Sequence, residues 1–375
     1  MQKIIGLVHT RFSSVGGVEN YINRLVDGLL ARNWRIHYIT AKADRAVPPG
    51  VTIHKVPIIR GTSVSKMLSF AHNAKRLAKK SNLPLIFGFG RTIYQDIYRD
   101  GSGCFLDYEQ HMDKHFNWLY RKSYLYLERK RFADSRLRKV VAISGMVHDQ
   151  ILARYPLSRQ DIIVIYNGVD TNRFYPGLKE KKEYFRKELE IPRQDFVILF
   201  VGNGFKRKGL EYLLAAIALL PTEIPLTLLV AGRDKKAGKY VEMSKELGCR
   251  HRIRFLGHQE NLASLYGAAD LFILPSVFDA YASVVGEALY TGTPVITGPQ
   301  VGASELIKPG LNGYIVQDYQ AKTIADTLLD FYYSSYKDYM SMAAHESAAE
   351  NRWNLHIDKL EELFFEILEL KYGSS

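Results

Sequence analysis

Two acids, Asp279 and Glu287, stand two helical turns apart in the run LPSVFDAYASVVGEALYTGTPVITG. The apolar stretch Leu271, Phe272, Ile273, Leu274 reads as a buried parallel strand ending at Pro275–Ser276, and Ala282 to Leu289 reads as a helix that stops near Gly292. One acid is thus placed at a strand's C-terminal end and the other inside the helix that follows. In open α/β sheets ligands bind in that crevice, and the free amides of a helix start attract phosphate. Two acids beside such amides suit a molecule with both hydroxyls and a diphosphate, which describes a nucleotide-sugar. By themselves the two acids fit a loop residue and a solvated helix position equally well.

The residues around them narrow the choice. Glu287-Ala288 and Gly292-Thr293-Pro294-Val295-Ile296 resemble the donor-site signature of retaining GT-B glycosyltransferases of family 4, where Glu-x7-Glu is the usual form. The first acid is Asp here, one methylene shorter. The resemblance implies a donor site along Asp279, Ala280, Tyr281, Ala282, Ser283 and Glu287. In it Glu287 accepts hydrogen bonds from ribose hydroxyls, and Asp279 from those of the transferred sugar.

A second constellation lies in FVGNGFKRKGLEYLL, where a strand ends at Gly202 and a helix follows Gly209. Glycines permit close backbone approach, and the cations between them can neutralise a diphosphate. The loop is not a P-loop, because Leu210-Glu211 follows Gly209 where Lys-Ser/Thr is required. In the resembled family this basic loop holds the diphosphate, which maps onto Lys208 and Arg207. Many members carry an Arg directly after the strand; Asn203 stands there in this chain, leaving Arg207 to take over. Nearer the N-terminus, Ser13-Ser14-Val15-Gly16-Gly17 feeds a helix and resembles the family's first glycine-rich loop, with Gly16 and Gly17 offering amides to an anion. Arg233, after the strand in VAGRDKKAGKY, is a rim residue by position. Gly257-His258-Gln259 sits where members hold the base through backbone groups.

With 375 residues the chain is expected to form two domains. Its 47% hydrophobic and 24% charged content is ordinary for a globular protein. Cys104 and Cys249 have no metal-binding spacing and read as reduced cytosolic thiols. The start reads as a strand, not a signal peptide, and no apolar run is long enough to span a bilayer. Residues 1–170 hold 27 Lys+Arg against 13 Asp+Glu, a net +14, while the rest holds 24 against 26. A basic half implies an acidic partner.

Strands are expected at Lys3–His9, Arg35–Thr40, Val51–Val56, Leu83–Phe89, Lys139–Ser144 and Asp161–Tyr166, with helices at Val18–Arg32 and Lys66–Lys80. After a linker from Asn167 through Pro176, which precedes the charged stretch Lys179–Lys187, the alternation restarts. Strands follow at Phe196–Val201, Leu226–Ala231, Arg252–Leu256, Leu271–Leu274, Pro294–Thr297 and Gly313–Val316, with helices at Leu210–Leu220, Lys239–Leu247 and Asn261–Ala268. Apolar strands alternating with helices predict parallel sheets covered on both faces. With the resemblance, this implies an α/β GT-B fold of two Rossmann-like, doubly wound domains facing a cleft. Residues 1–170 would bind the acceptor and 171–351 the donor, with the C-terminal helix in 352–375 packing back on the first domain.

The segment Phe87–Cys104 resembles the acceptor edge of lipopolysaccharide core glucosyltransferases, a subgroup to which the whole chain is similar. It leaves Asp96 and Asp100 as alternative acids, with Asp100 the catalytic candidate. From His115 to Lys139 aromatic and basic residues concentrate, and Trp118, Arg121, Lys122, Arg129, Lys130 and Arg131 are the candidates for contact with an anionic membrane. A core helix with a solvated basic side is the structural alternative.

The expectation is a retaining glycosyltransferase that moves a hexose from UDP-glucose to a lipid-linked or phosphorylated saccharide, such as the lipopolysaccharide inner core. It would act as a monomer on the cytoplasmic face of the inner membrane, with no metal, no cofactor and no nucleic acid. A sugar-nucleotide epimerase of the same fold, or a non-catalytic membrane or nucleic-acid-binding protein with a vestigial cleft, are the alternatives.

Overall fold

The computed structural model describes residues 2–14, 16–112 and 116–373, so Val15 and His115 of the segments above lie outside the described residues. The chain divides into two compact units, one running up to Tyr166 and taking in the segment from Asn354 onward, the other Asn167–Trp353.

The first unit is built on β1 (Ile4–Val8), β3 (Arg35–Thr40), β5 (Val51–Lys55), β6 (Ile86–Phe89), β7 (Ile97–Asp100), β8 (Lys139–Ala142) and β9 (Ile162–Val164). They form one sheet in the order β5-β3-β1-β6-β7-β8-β9, every pair parallel. A short parallel pair, β2 (Arg11–Phe12) and β4 (Lys42–Ala43), extends one end. The helices are α1 (Gly17–Leu30), α2 (Ser63–Lys80), α3 (Phe105–Met112), α4 (Trp118–Phe132) and α5 (Gly145–Arg154). On α1 the buried Tyr21, Ile22, Leu25, Val26 and Leu29 recur at helical spacing, which sets its inner face. The Thr62 hydroxyl accepts from the Ser65 amide at 3.2 Å and starts α2 three residues earlier than predicted.

The second unit begins with α6 (Lys182–Glu188) and continues through β10 (Phe196–Val201), α7 (Leu210–Leu219), β11 (Leu226–Ala231), α8 (Ala237–Glu246), β12 (Ile253–Gly257), α9 (Leu262–Ala268) and β13 (Leu271–Leu274). It ends with α10 (Ser283–Tyr290), β14 (Val295–Thr297), β15 (Gly313–Ile315), α11 (Ala321–Tyr333) and α12 (Lys337–Ala348). Its sheet runs β12-β11-β10-β13-β14-β15, again all parallel. The last helix, α13 (Trp353–Tyr372), belongs to the first unit from Asn354 on.

Two charged segments are more structured than their composition suggests. Ile97–Asp100, absent from the expected strands, is a strand between β6 and β8, and all four of its residues are buried. Its charges hid it: the Arg99 guanidinium lies 3.6 Å from the centroid of the Tyr21 ring, and Asp100 accepts from the amides of Ser102 and Gly103. The charged stretch Lys179–Lys187 that follows the linker is anchored on the second unit. Arg186 is buried and donates to Asp270 at 2.7 Å, while Lys179 donates to the carbonyls of Tyr266 and Ala269.

His356 ties α13 into the first unit and sets a pH dependence. One ring nitrogen is 2.8 Å from the Tyr21 hydroxyl and the other 2.7 Å from the Tyr166 carbonyl. Burial, reinforced by the nearby Arg99 charge, lowers its pKa from 6.5 to about 3. Below pH 6.5 the unfolded chain takes up a proton that the folded one refuses until about 3. Stability from this group is therefore full above that window and lost as pH falls through it, by at most ~1.4 kcal/mol per pH unit. The gap in denaturant midpoint between the wild type and His356→Gln should narrow as pH drops from about 7 to about 4. A constant gap would mean that the ring does not titrate this way.

Candidate donor site

In the second sheet the chain lays down β10, β11 and β12 outward on one side, then returns to place β13 on the other side of β10. The strand order reverses between β10 and β13, and a crevice opens beyond their C-terminal ends at such a point. The basic loop follows β10 and Asp279 follows β13, so the topology alone brings the two motifs together.

Their side chains touch. Lys208 Nζ lies 2.5 Å from Asp279 Oδ2, and Arg207 Nη1 donates to the same oxygen at 2.8 Å and to the Phe278 carbonyl at 3.0 Å. Burial works to raise the Asp279 pKa, but the two cations outweigh it and hold the carboxyl well below its usual range. Burial likewise lowers the Lys208 pKa, opposed by the Asp279 charge. The trio carries one net positive charge in a largely buried setting, where electrostatic interactions are strong.

Backbone contacts fix the trio in place. The Arg207 carbonyl accepts from Val277 N and from the Ser276 hydroxyl, each at 3.0 Å. Gly209 adopts φ +75°, and a Cβ there would fall 1.9 Å from the Pro275 carbonyl oxygen. Only glycine lets the loop lie this close to the end of β13. On the other side, Asn203 Oδ1 accepts from the Arg233 amide at 2.7 Å, and Asp234 accepts from the Phe205 amide at 2.7 Å.

The remaining predicted residues distribute as follows. Glu287, half-buried on α10, accepts a hydrogen bond from the Tyr266 hydroxyl at 3.1 Å. The helix start at Ala282 has no side-chain cap, and Ser283 is exposed with its hydroxyl 3.1 Å from Asn167 Nδ2. Ala280 and Tyr281 are buried, and the Tyr281 amide donates to Asp279 Oδ1 at 3.2 Å. That amide is therefore engaged within the site. Arg233 and His258 are exposed at the ends of β11 and β12. In the first unit, Gly16 (φ +122°) precedes α1, whose start also has no side-chain cap, and a Cβ on Gly17 would meet nothing within 4 Å. Asp100 is buried at the end of β7 and closes its own loop. Asp96 sits at the other end of that strand, bonded to Arg136, Lys371 and the Ile86 amide, and is structural.

Two features escaped the sequence reading. Tyr266, fully buried on α9, had no spacing signal to connect it with Glu287. His9, directly after β1, lies 3.5 Å from Glu19 of α1, and its Nδ1 is buried with no hydrogen-bond partner among the described residues. The only hint was a histidine at a strand's C-terminal end. On α4 one prediction fails: Arg131 is 2% exposed, donates to the Thr92 carbonyl and stacks on Tyr98, so it cannot reach a membrane. Arg121 pairs with Glu109 at 2.7 Å, whereas Trp118, Lys122, Arg129 and Lys130 are exposed.

Two all-parallel α/β units, each with its switch point at the strand C-termini, make up the GT-B architecture. The crystal structure of WaaG, a glycosyltransferase involved in lipopolysaccharide biosynthesis, superposes with a TM-score of 0.82 at 21% identity, covering 96% of this chain and 99% of that one. Anabaena HepE in complex with UDP and glucose gives 0.72 at 19% identity, covering 98% and 100%. A profile described as Glycosyl transferases group 1 matches residues 181–346, and one described as Glycosyltransferase Family 4 matches 15–173. The chain belongs to the family 4 glycosyltransferases. Among curated relatives, the lipopolysaccharide glucosyltransferase WaaG of Escherichia coli is 22% identical over 84% of this chain and 85% of its own length. An uncharacterized glycosyltransferase of Methanocaldococcus jannaschii is 30% identical over 50% of this chain, a match spanning about half (49%) of that relative's length.

Proposed function

We propose that this protein is a retaining glycosyltransferase that moves glucose from UDP-glucose to a lipid-linked or phosphorylated saccharide of the lipopolysaccharide inner-core type. The observation that carries this reading is the Arg207–Lys208–Asp279 cluster at the switch point of the second sheet. Without a donor, Asp279 holds both cations in place. An arriving diphosphate offers more negative charge than one carboxylate and takes them over as partners. Lys208 and Arg207 then stabilise the charge that grows on the departing diphosphate, and preorganised cations serve this purpose without reorganisation. Glu287 receives ribose hydroxyls, with its carboxylate oriented by Tyr266. The oxygens of Asp279 are mostly engaged, so its part is to position the cations first and to touch the sugar second. HepE, solved with UDP and UDP-glucose, and WaaG, a glucosyltransferase by name, support the choice of donor. A thermal-shift screen of nucleotide-sugars, followed by mass analysis of product on extracted glycolipid, tests the reading. No stabilisation by any UDP-sugar, together with no UDP release, would remove it.

The same reading places the enzyme on the cytoplasmic membrane face. Among the described residues no helix is long and apolar enough to cross a membrane. Along α4, Trp118, Lys122, Tyr126 and Arg129 recur at spacings of three and four, and all are exposed. Trp118 is 65% exposed, with Lys122 Nζ 4.1 Å from its ring centroid. Such an aromatic and basic stripe suits the headgroup layer of anionic lipid. Replacing Trp118, Lys122, Arg129 and Lys130 with alanine together should cut binding to anionic liposomes at least about tenfold, since each basic side chain contributes roughly 1 kcal/mol near such a surface. Turnover on a soluble acceptor should stay unchanged. Liposome binding at wild-type strength would take α4 out of the membrane.

A further inference from the structure

At the strand N-terminal ends of the first unit, the edge opposite the glycine-rich loop, lies a second cationic recess. Lys75 and Lys79 come from the last turns of α2, Arg136 and Arg138 immediately precede β8, and Lys371 reaches in from α13. These five cations line a cleft of about 420 Å³.

Among the described residues that line it only two are carboxylates, and both are already bound. Asp96 is 1% exposed and accepts from Arg136 Nη2 and Lys371 Nζ, each at 2.9 Å, and from the Ile86 amide at 2.7 Å. Asp134 accepts from Lys75 Nζ at 2.9 Å. Five cations against two carboxylates leave a net +3. Lys79 and Arg138 are exposed and have no carboxylate partner among the described residues. The Tyr94 ring gathers Lys75 and Lys79 at 5.5 Å each and Arg136 at 4.9 Å from its centroid. Arg136 Nε is buried and has no hydrogen-bond acceptor among the described residues.

Like charges gathered around one recess repel each other unless an anion joins them. Arg136 is held by Asp96, Tyr94 and the Leu83 carbonyl and adds its charge, while the donors left at the rim are Arg138 and Lys79, and this combination suits phosphate oxygens. We propose that this cleft is a binding site for a phosphorylated anion of about three negative charges, of the pyrophosphate or bisphosphate class. It is separate from the donor crevice, which lies in the other unit. The phosphate could be carried by a soluble molecule or by a lipid headgroup.

The test uses the full chain carrying Arg207→Ala together with Lys208→Ala, so that the donor crevice keeps no cation of the cluster to hold the probe. Pyrophosphate is titrated by calorimetry into this protein and into the same protein with Lys79→Ala and Arg138→Ala added. Both added sites are exposed, and melting temperature checks that the fold is kept. The expected result is pyrophosphate binding that the added pair weakens at least about tenfold, the loss of one or two charge-assisted contacts. The second arm measures partition onto phosphatidylcholine vesicles containing phosphatidic acid. A tenfold loss confined to the vesicles assigns the site to a lipid phosphate, and a loss for pyrophosphate assigns it to a soluble one. Equal binding of each probe by both proteins, or binding of neither probe, overturns the proposal.

Discussion

Replacing Lys208 with alanine should lower the rate of sugar transfer about 100- to 1000-fold, the loss expected when one preorganised donor to a developing charge is removed, about 3–4 kcal/mol. The ammonium is nearly buried, Asp279 is its only carboxylate partner among the described residues, and Gly209 fixes the backbone beside it. Without it Arg207 remains bonded to Asp279 at 2.8 Å, so the crevice keeps one cation and the donor can still bind. The loss should therefore appear mainly in kcat, with a smaller rise in KM, because the lysine acts on charge that peaks in the transition state. Lys208→Arg should restore little, since a guanidinium is wider than an ammonium and the position is nearly buried. A reduction of less than about threefold in kcat/KM would take Lys208 out of the reaction.

The second large effect is expected from Gly209→Ala, which adds one methyl group and no charge. The residue sits at φ +75°, and the new Cβ would lie 1.9 Å from the Pro275 carbonyl oxygen, a backbone atom that cannot rotate away. The left-handed conformation alone costs an ordinary residue roughly 1–2 kcal/mol. Relieving the clash means separating the basic loop from the end of β13, which breaks the Val277–Arg207 and Ser276–Arg207 hydrogen bonds. A loss of at least about 2 kcal/mol should lower the melting temperature by ~4 °C or more. Because that separation moves Arg207 and Lys208 off Asp279, UDP-sugar stabilisation should vanish at temperatures where the variant is still folded. Wild-type melting with intact nucleotide binding would contradict this packing.

The alternation of apolar strands and amphipathic helices made both sheets legible from sequence, because central parallel strands are uniformly apolar. Phe196–Val201 and Leu226–Ala231 match their predicted bounds for that reason. β7 was lost because Arg99 and Asp100 look solvated and are not: an aromatic face and two backbone amides replace water around them. Arg131 misled in the same way, since a basic residue on a basic helix gives no sign of which side faces inward. In the site, strand ends and glycines located Arg207, Lys208 and Asp279. That the carboxylate grips both cations is a matter of side-chain geometry, to which residue spacing is blind. Tyr266 and His9 depend on contacts between elements remote in sequence, where periodicity carries no information.

The first unit is discontinuous, and this bears on how the protein is made. Trp34 packs edge-on against Phe364 at 5.6 Å, Phe87 meets the same ring at 5.4 Å, and Glu361 holds Lys3 at 2.9 Å. The N-terminal part of the first unit thus waits for its closing helix until the whole second unit has been synthesised. The second unit holds all of its sheet in one unbroken stretch and can reach its final state while the earlier one is still open. An interrupted nascent chain would expose the apolar seat of α13 to chaperones and proteases, and the nucleotide half would be the part that survives.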